Sequence, residues 1–260
     1  MIEASSYQRL REHLAYLRLQ TAAENLSAEL DRAVREQLSA TQVLERLLEL
    51  EVEATQERRR RSRLRYGHYP VLKTLADFDF DFQPNLDRKV VAELSTLRFV
   101  EEHRNVILLG PPGVGKPHLA IALGVAATEA GYRTYFTSAS DLAQNLQSAH
   151  LGGLAQLKIR SYLQPALLVI DELGYLPMDQ ASANWIFQVV SRRYDRGSVI
   201  LTSNRGFSDW GQVFADPVVA SAIVDRLLHD ATVLNIRGHS YRMRAHQPPP
   251  ARKGGSAVVR

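Results

Sequence analysis

Apolar side chains return every three to four residues through positions 1–66, the spacing of one helical face. Leu10, Leu14 and Leu17 share a face, as do Leu26, Leu30, Val34 and Leu38. Ser39 and Gln42 stand at capping-box spacing, just before a third stripe of Val43, Leu44, Leu47, Leu48 and Val52. The pattern predicts a small all-helical N-terminal domain over 1–66. Gly67, Pro70 and the Asp/Phe alternation from Leu75 to Phe82 break it and predict a linker over 67–85. Beyond the linker the period changes. Short apolar runs at 106–109, 133–137, 166–170, 198–202 and 231–236 read as strands, with amphipathic stretches between them. One of these runs from Asp179 to Arg196, with Trp185, Ile186, Val189 and Val190 inward. Such alternation predicts an α/β core over 86–244, a five-stranded parallel sheet with helices on both faces. The Pro- and Gly-rich tail, 245–260, reads as disordered and basic. No internal repeat is present.

Composition narrows this picture without changing it. A chain of 260 residues with 45% hydrophobic content can build one ordinary core plus an appendage. It has no cysteine, which removes disulfide frameworks and Cys-based zinc sites. No apolar run reaches the roughly 18 residues of a membrane span, and the N-terminus has no signal-peptide pattern. A cytoplasmic protein without membrane contact is expected. Net charge is +4 and the pI about 9.4, unevenly distributed. Arg58, Arg59, Arg60, Arg61, Arg63 and Arg65 form one cluster, and no acid follows Asp230. The arginine cluster favours a nucleic-acid partner over a merely solvated helix face.

The candidate chemistry begins at Gly110-Pro111-Pro112-Gly113-Val114-Gly115-Lys116-Pro117-His118. Strand, Gly-rich turn and helix in succession aim backbone N–H groups and a helix N-terminus at phosphate. Lys116 is placed to reach the β- and γ-phosphates of a nucleotide. The first seven residues fit the P-loop pattern G-x-x-x-x-G-K. The eighth position calls for Ser or Thr, whose hydroxyl ligates Mg²⁺, and here it is Pro117. Proline has neither hydroxyl nor N–H, and it restricts the residue before it. Weakened Mg²⁺–nucleotide binding and slower turnover follow, with the helix itself retained.

Leu167-Leu168-Val169-Ile170-Asp171-Glu172 has the Walker B form, an apolar strand ending in two acids. Asp171 is the candidate Mg²⁺ ligand and Glu172 the candidate general base for an attacking water. Asn204, after the strand ending at Thr202, is placed to orient that water. Arg226 and Arg242 are candidates for an arginine that reaches a neighbour's γ-phosphate. For either arginine alone, a salt bridge or a solvated position is an equal reading.

These elements in this order, with Thr74-Leu-Ala-Asp-Phe-Asp-Phe80, Thr-Ser-Asn-Arg205, Asp-Arg-Leu-Leu-His229 and Arg-Gly-His-Ser-Tyr-Arg242, resemble the IstB transposition helper proteins. Those are AAA+ ATPases related to the DnaC helicase loader. The resemblance runs from about Tyr7 to Arg244. It implies a P-loop NTPase (AAA+) core, ATP and Mg²⁺ as cofactors, and a homo-oligomer on duplex DNA that presents a target to its cognate transposase. Arg226 would be the trans-acting finger, Asn204 the first sensor and Arg242 the second. The helical segment between the second and third strands matches the place where related initiators carry a DNA-facing insertion, with Lys158 and Arg160 as candidate contacts. Two departures stand out. Pro117 replaces the hydroxyl residue, and too little chain follows Arg242 to build a full C-terminal lid. Two other readings remain open at this level, a non-hydrolysing DNA-binding assembly factor and a helicase loader of the DnaC type.

Overall fold

The computed structural model describes residues 2–214 and 216–246. By its internal contacts the chain divides into two compact units, Met1–Arg63 and Leu64–Arg260.

The first unit is helical: α1 (Ile2–Tyr16), α2 (Gln20–Glu36) and α3, which begins at Ala40 and continues to Tyr66. The capping box forms. The Ser39 N–H donates to Gln42 Oε1 at 2.8 Å, and the Gln42 N–H donates to Ser39 Oγ at 3.3 Å. The start of α2 has no such residue, because Leu19 sits at its N-cap without a side-chain acceptor. Glu51 of α3 supplies one instead. Its carboxylate accepts the Ala22 N–H at 3.1 Å and binds Arg58 at 2.6 Å. A carboxylate at a helix N-terminus satisfies an orphan donor and opposes the helix dipole, so an acid that is only 4% exposed has a structural role here. The helical periods are as expected, but the expected faces are only partly covered. Ala22, Leu26 and Leu47 form the core, with Tyr7, Leu14, Leu19 and Val43 against them. Leu10, Leu17, Leu30, Val34, Leu44, Leu48 and Val52 remain exposed.

The second unit is the α/β core. Its strands are β1 (Asn105–Leu109), β2 (Thr134–Ser138), β3 (Leu167–Leu173), β4 (Ser198–Ser203) and β5 (Ala231–Asn235). They form one sheet in the order β2-β3-β4-β1-β5, and every pairing is parallel. Alternation along each strand sends side chains to opposite faces. Ile107, Leu109, Leu168 and Ile170 pack on one side with α6 (Ala139–Leu151), α7 (Gln180–Arg193) and α8 (Pro217–Leu228). Val106, Leu108, Leu167 and Val169 pack on the other with α4 (Arg88–Ser95) and α5 (Lys116–Glu129). Among the described residues no helix is long and apolar enough to cross a membrane.

The segment expected as a linker is packed against this core. The Gly67 carbonyl accepts the Phe136 N–H at 2.8 Å on the edge strand β2. The Tyr69 hydroxyl joins Thr128 and Thr134 at 3.1 and 2.6 Å. Phe78 and Leu86 enter the core beside α5. The tail reading over 245–260 falls almost entirely outside the described residues; the last short helical turn spans Tyr241–His246.

Candidate functional site

The strand ends of β1, β3 and β4 meet at a cleft of about 290 Å³. Its floor is the loop from Gly110 to Gly115. Gly113 (φ +85°) and Gly115 (φ +96°) hold left-handed backbone that an L side chain rarely adopts. Cβ atoms there would also collide, at Gly113 with Ser240 Oγ (2.0 Å) and at Gly115 with Phe78 (2.7 Å). The loop is thus gripped from both sides. The Tyr241 N–H donates to the Gly113 carbonyl at 2.9 Å, and Gln83 Nε2 donates to the His239 carbonyl at 2.9 Å.

Helix α5 starts at Lys116 and carries Pro117 in its first turn. The missing N–H has no intrahelical acceptor at that position, so the restriction proline places on Lys116 does not prevent the helix from starting there. Lys116 is 6% exposed, and its ammonium donates to the Gly110 and Pro111 carbonyls at 2.7 and 2.8 Å. Burial lowers its pKa, and nearby Arg242 lowers it further, against the opposing pull of Asp171 and Glu172. His118 lines the cleft, but its Nε2–H donates to the Thr74 carbonyl at 3.1 Å and its ring edge meets Phe78. Its visible partners are therefore in the former linker.

At the end of β3 the two acids part. Asp171 is buried and does not line the cleft; it accepts a hydrogen bond from the Thr202 hydroxyl. Burial pushes its carboxyl above the ordinary range, the Glu172 charge adds to the effect, and the Thr202 and Lys116 contacts oppose it. Glu172 is exposed and lines the cleft, in left-handed backbone at φ +61°. Its N–H donates to Thr202 Oγ1 at 2.9 Å, within an irregularity of the β3–β4 register between Ile170 and Leu173. Strained non-glycine backbone is costly, and it collects at functional positions. Thr202 therefore holds both acids, one through its hydroxyl hydrogen and one through its oxygen.

Asn204 lines the same cleft, and its Oδ1 is buried without a hydrogen-bond partner among the described residues. An orphaned buried acceptor of this kind costs free energy unless a ligand or water completes it. Arg242 lines the cleft too. The structure thus brings together Pro112, Gly113, Val114, Gly115, Lys116, Pro117, His118, Glu172, Asn204 and Arg242, with Gly110, Pro111 and Asp171 directly behind.

Other candidates lie elsewhere. Arg226 sits beside Leu227, whose carbonyl accepts Asn105 Nδ2 at the start of β1. The P-loop follows the opposite end of that strand. Arg226 donates to the Ala222 carbonyl at 3.0 Å and lies over the Phe187 ring at 5.0 Å. Lys158 stands 6.0 Å from the Tyr162 ring centre, in a short helical turn beside Arg160. In the arginine cluster, Arg58 pairs with Glu51, and Arg60 and Arg61 pair with Glu57 at 3.4 and 2.7 Å. Arg63 is half-buried, while Arg59 and Arg65 are exposed.

Several cleft residues were given no role by the motif reading: Lys73, Asp77, Phe78, Asp79, Gln83, Tyr175, Thr202 and Tyr241. Those from the former linker carry a visible signal, the Thr74–Phe80 signature, whose geometric role is unreadable without the fold. Thr202 is visible as the first residue of the Thr-Ser-Asn-Arg205 motif, but its hold on both acids has no signal in the sequence. The phosphate-binding parts fit a nucleoside triphosphate, with glycine backbone, a buried lysine and an unpartnered amide oxygen. The Mg²⁺ fit is incomplete, because Pro117 offers no hydroxyl at the loop position that would supply one.

Comparison with known proteins finds relatives along most of the chain. The family described as "IstB-like ATP binding protein" matches residues 12–248. An IS21 insertion-sequence protein of Pseudomonas aeruginosa is 45% identical over 231 residues, covering 89% of this chain and 87% of that one. An IS5376 insertion-sequence protein of Geobacillus stearothermophilus is 42% identical over 237 residues, covering 91% and 94%. Among solved structures, AMPPCP-bound DnaA of Aquifex aeolicus is similar over 65% of this chain and 50% of that one, with TM-score 0.54 and 24% identity. DnaI is similar over 63% and 90%, with TM-score 0.54 and 19% identity. Those two likenesses are of fold, an AAA+ P-loop core. With a family match spanning nearly all of the described residues and relatives above 40% identity along both chains, the protein belongs to the IstB-like ATP binding proteins.

Proposed function

We propose that the chain is an ATP-dependent DNA-binding helper of an insertion-sequence transposase, which oligomerises on duplex DNA and presents the target. The observation that carries this reading is the single cleft lined by Lys116, Glu172, Asn204 and Arg242 in a chain of this family. Lys116 and the loop N–H groups bind the β- and γ-phosphates, which requires Lys116 to leave the Gly110 and Pro111 carbonyls. Glu172 accepts a proton from the attacking water, and the Asn204 amide orients that water. Asp171, positioned by Thr202, is the residue that would hold Mg²⁺. That ion, when bound, neutralises charge on the phosphate oxygens.

Arg226 lies at the far end of β1 from its own P-loop, a position that supports a role toward a neighbour's nucleotide rather than its own. That placement supports an oligomer joined through ATP, with Lys116 on one side of the joint and Arg226 on the other. Loss of the γ-phosphate then weakens the joint. The exposed arginines of α3 support salt-sensitive contact with DNA phosphates. The insertion-sequence relatives support a transposase as partner.

Pro117 favours a second reading, a nucleotide-bound assembly factor that does not hydrolyse. ATP turnover with duplex DNA, measured for this chain and for Pro117→Thr, separates the two. Turnover by both supports the helper ATPase. Turnover by the Thr variant alone assigns this chain to the non-hydrolysing form. Capture of a replicative helicase instead of a transposase would replace both with a loader.

A further inference from the structure

The end of β3 holds one residue more than the strand beside it. Ile170 pairs with Leu201 of β4 and Leu173 with Ser203, so Asp171 and Glu172 both stand opposite Thr202. Two residues facing one make a bulge, which is rare between parallel strands and re-aims a side chain. The side chain re-aimed here is that of Glu172. It lines the nucleotide cleft, and Asp171 before it does not. Among the described non-glycine residues with positive φ, only Glu172 lies within a strand. A left-handed residue inside a ladder persists only where its surroundings hold it.

Two side chains of β4 do so. Thr202 Oγ1 accepts the Glu172 N–H at 2.9 Å, in place of the ladder bond that the bulge forgoes. Ser203 Oγ donates to the Leu173 carbonyl at 2.7 Å and closes the bulge on its far side. Thr202 is 1% exposed, so its bond to Glu172 is made away from bulk water. A hydroxyl has a single hydrogen, and Asp171 takes that of Thr202. The oxygen lone pairs are thereby turned toward Glu172, and donation to a carboxylate makes the oxygen a better acceptor.

We propose that Thr202 is a positioning residue for turnover: its hydroxyl pins the bulge at Glu172 and so keeps the Glu172 carboxylate in the nucleotide cleft. This rests on the reading that Glu172 accepts a proton from the attacking water, and it goes beyond that reading by naming what places the carboxylate there. Thr202 also lines the cleft, so the competing role is a direct contact with the nucleotide.

The test uses the full chain with duplex DNA and Mg²⁺–ATP, in the Pro117→Thr background if this chain's own loop gives no turnover. Glu172→Gln should abolish hydrolysis and keep nucleotide binding. Thr202→Val keeps the shape and removes the hydroxyl. It should lower kcat roughly 100-fold, the effect of a small misplacement of a reacting group, with KM for ATP little changed. Thr202→Ser, which retains the hydroxyl without the methyl, should recover most of kcat. Thr202→Cys offers a weaker acceptor in similar volume. It should fall between the two, and it stands in for the valine variant if melting curves show that one unfolded. A second readout is independent of turnover. With ¹⁵N-glutamate labelling, the Glu172 amide resonance, identified by its absence from Glu172→Gln, should move in Thr202→Val and stay in Thr202→Ser. Wild-type kcat in Thr202→Val overturns the proposal. So does a loss confined to KM, which would make Thr202 a nucleotide contact. Failure of serine to rescue overturns it too, because methyl packing would then be the cause. Full turnover by Glu172→Gln, or none by the unsubstituted chain in either background, overturns the functional reading and the positioning role with it.

Discussion

The edge of the Phe78 ring stands 2.7 Å from the point that a Cβ on Gly115 would occupy. The former linker and the P-loop are therefore in contact at a position where only glycine fits. Gly115→Ala should destabilise the chain by about 1–2 kcal/mol from the left-handed backbone alone, and should weaken nucleotide binding by displacing Phe78 or the loop. Melting curves and titration with a fluorescent ATP analogue check both effects. Phe78→Ala in the same chain should recover the clash component but not the backbone component, seen as non-additivity in a double-mutant cycle.

Pro117→Thr should tighten Mg²⁺–ATP binding. A recovered interaction with a charged group is worth about 1.5–3 kcal/mol, or roughly ten- to 150-fold in affinity. Binding measured in EDTA should change much less, because the hydroxyl acts on the metal. An equal gain with and without Mg²⁺ would show that the recovered N–H, not the hydroxyl, is responsible.

Glu51→Ala should loosen the helical unit. It leaves the Ala22 N–H and the Arg58 guanidinium without their carboxylate, a loss of about 1–3 kcal/mol for the buried donor. Burial alone would raise the Glu51 pKa, but the Arg58 contact and the Ala22 and Thr21 N–H groups outweigh it and lower the pKa. A carboxyl with lowered pKa stabilises the fold above its unfolded value, and this is lost as pH falls through the folded one. Protection of the amides at the start of α2, relative to their intrinsic exchange rates, should therefore fall in acid for the wild type and be low already at neutral pH for the alanine variant.

Asp171 has the opposite sign. Its pKa is raised, chiefly by burial. A group of this kind contributes stability below its unfolded pKa and loses it as pH rises through the folded pKa. Asp171→Asn does not titrate, so its melting temperature should gain on that of the wild type as pH rises above the ordinary aspartate value of about 4. A difference that shrinks over that range would show Lys116 outweighing burial.

The local elements were legible in the chain. Strand bounds agreed to within one residue except at the end of β3, which runs three residues further to Leu173, because fully buried parallel strands read as short apolar runs. The Ser39–Gln42 cap is a local interaction and was readable for the same reason. The P-loop and the Asp171-Glu172 pair were legible because phosphate chemistry imposes fixed spacing on adjacent residues. The coverage of the N-terminal stripes was not, since periodicity says which side chains share a face and not what packs there. Leu44, Leu48 and Val52 show this.

The sequence by itself determined the α/β core and its nucleotide motifs, because hydrogen-bonded periods and loop chemistry act over a few neighbouring residues. Tertiary structure alone decided the rest. Gln83 meets the His239 carbonyl across 156 positions, and Tyr69 meets Thr128 and Thr134 across 59 and 65. Those contacts turn an expected linker into a wall of the cleft. Thr202 came to hold both Asp171 and Glu172 because parallel pairing sets β4 beside β3. Arg226 came to lie away from its own nucleotide site because α8 returns to the start of the sheet while the P-loop leaves its end. No pattern along the chain encodes such relationships, since they arise where segments distant in sequence compete for the same space.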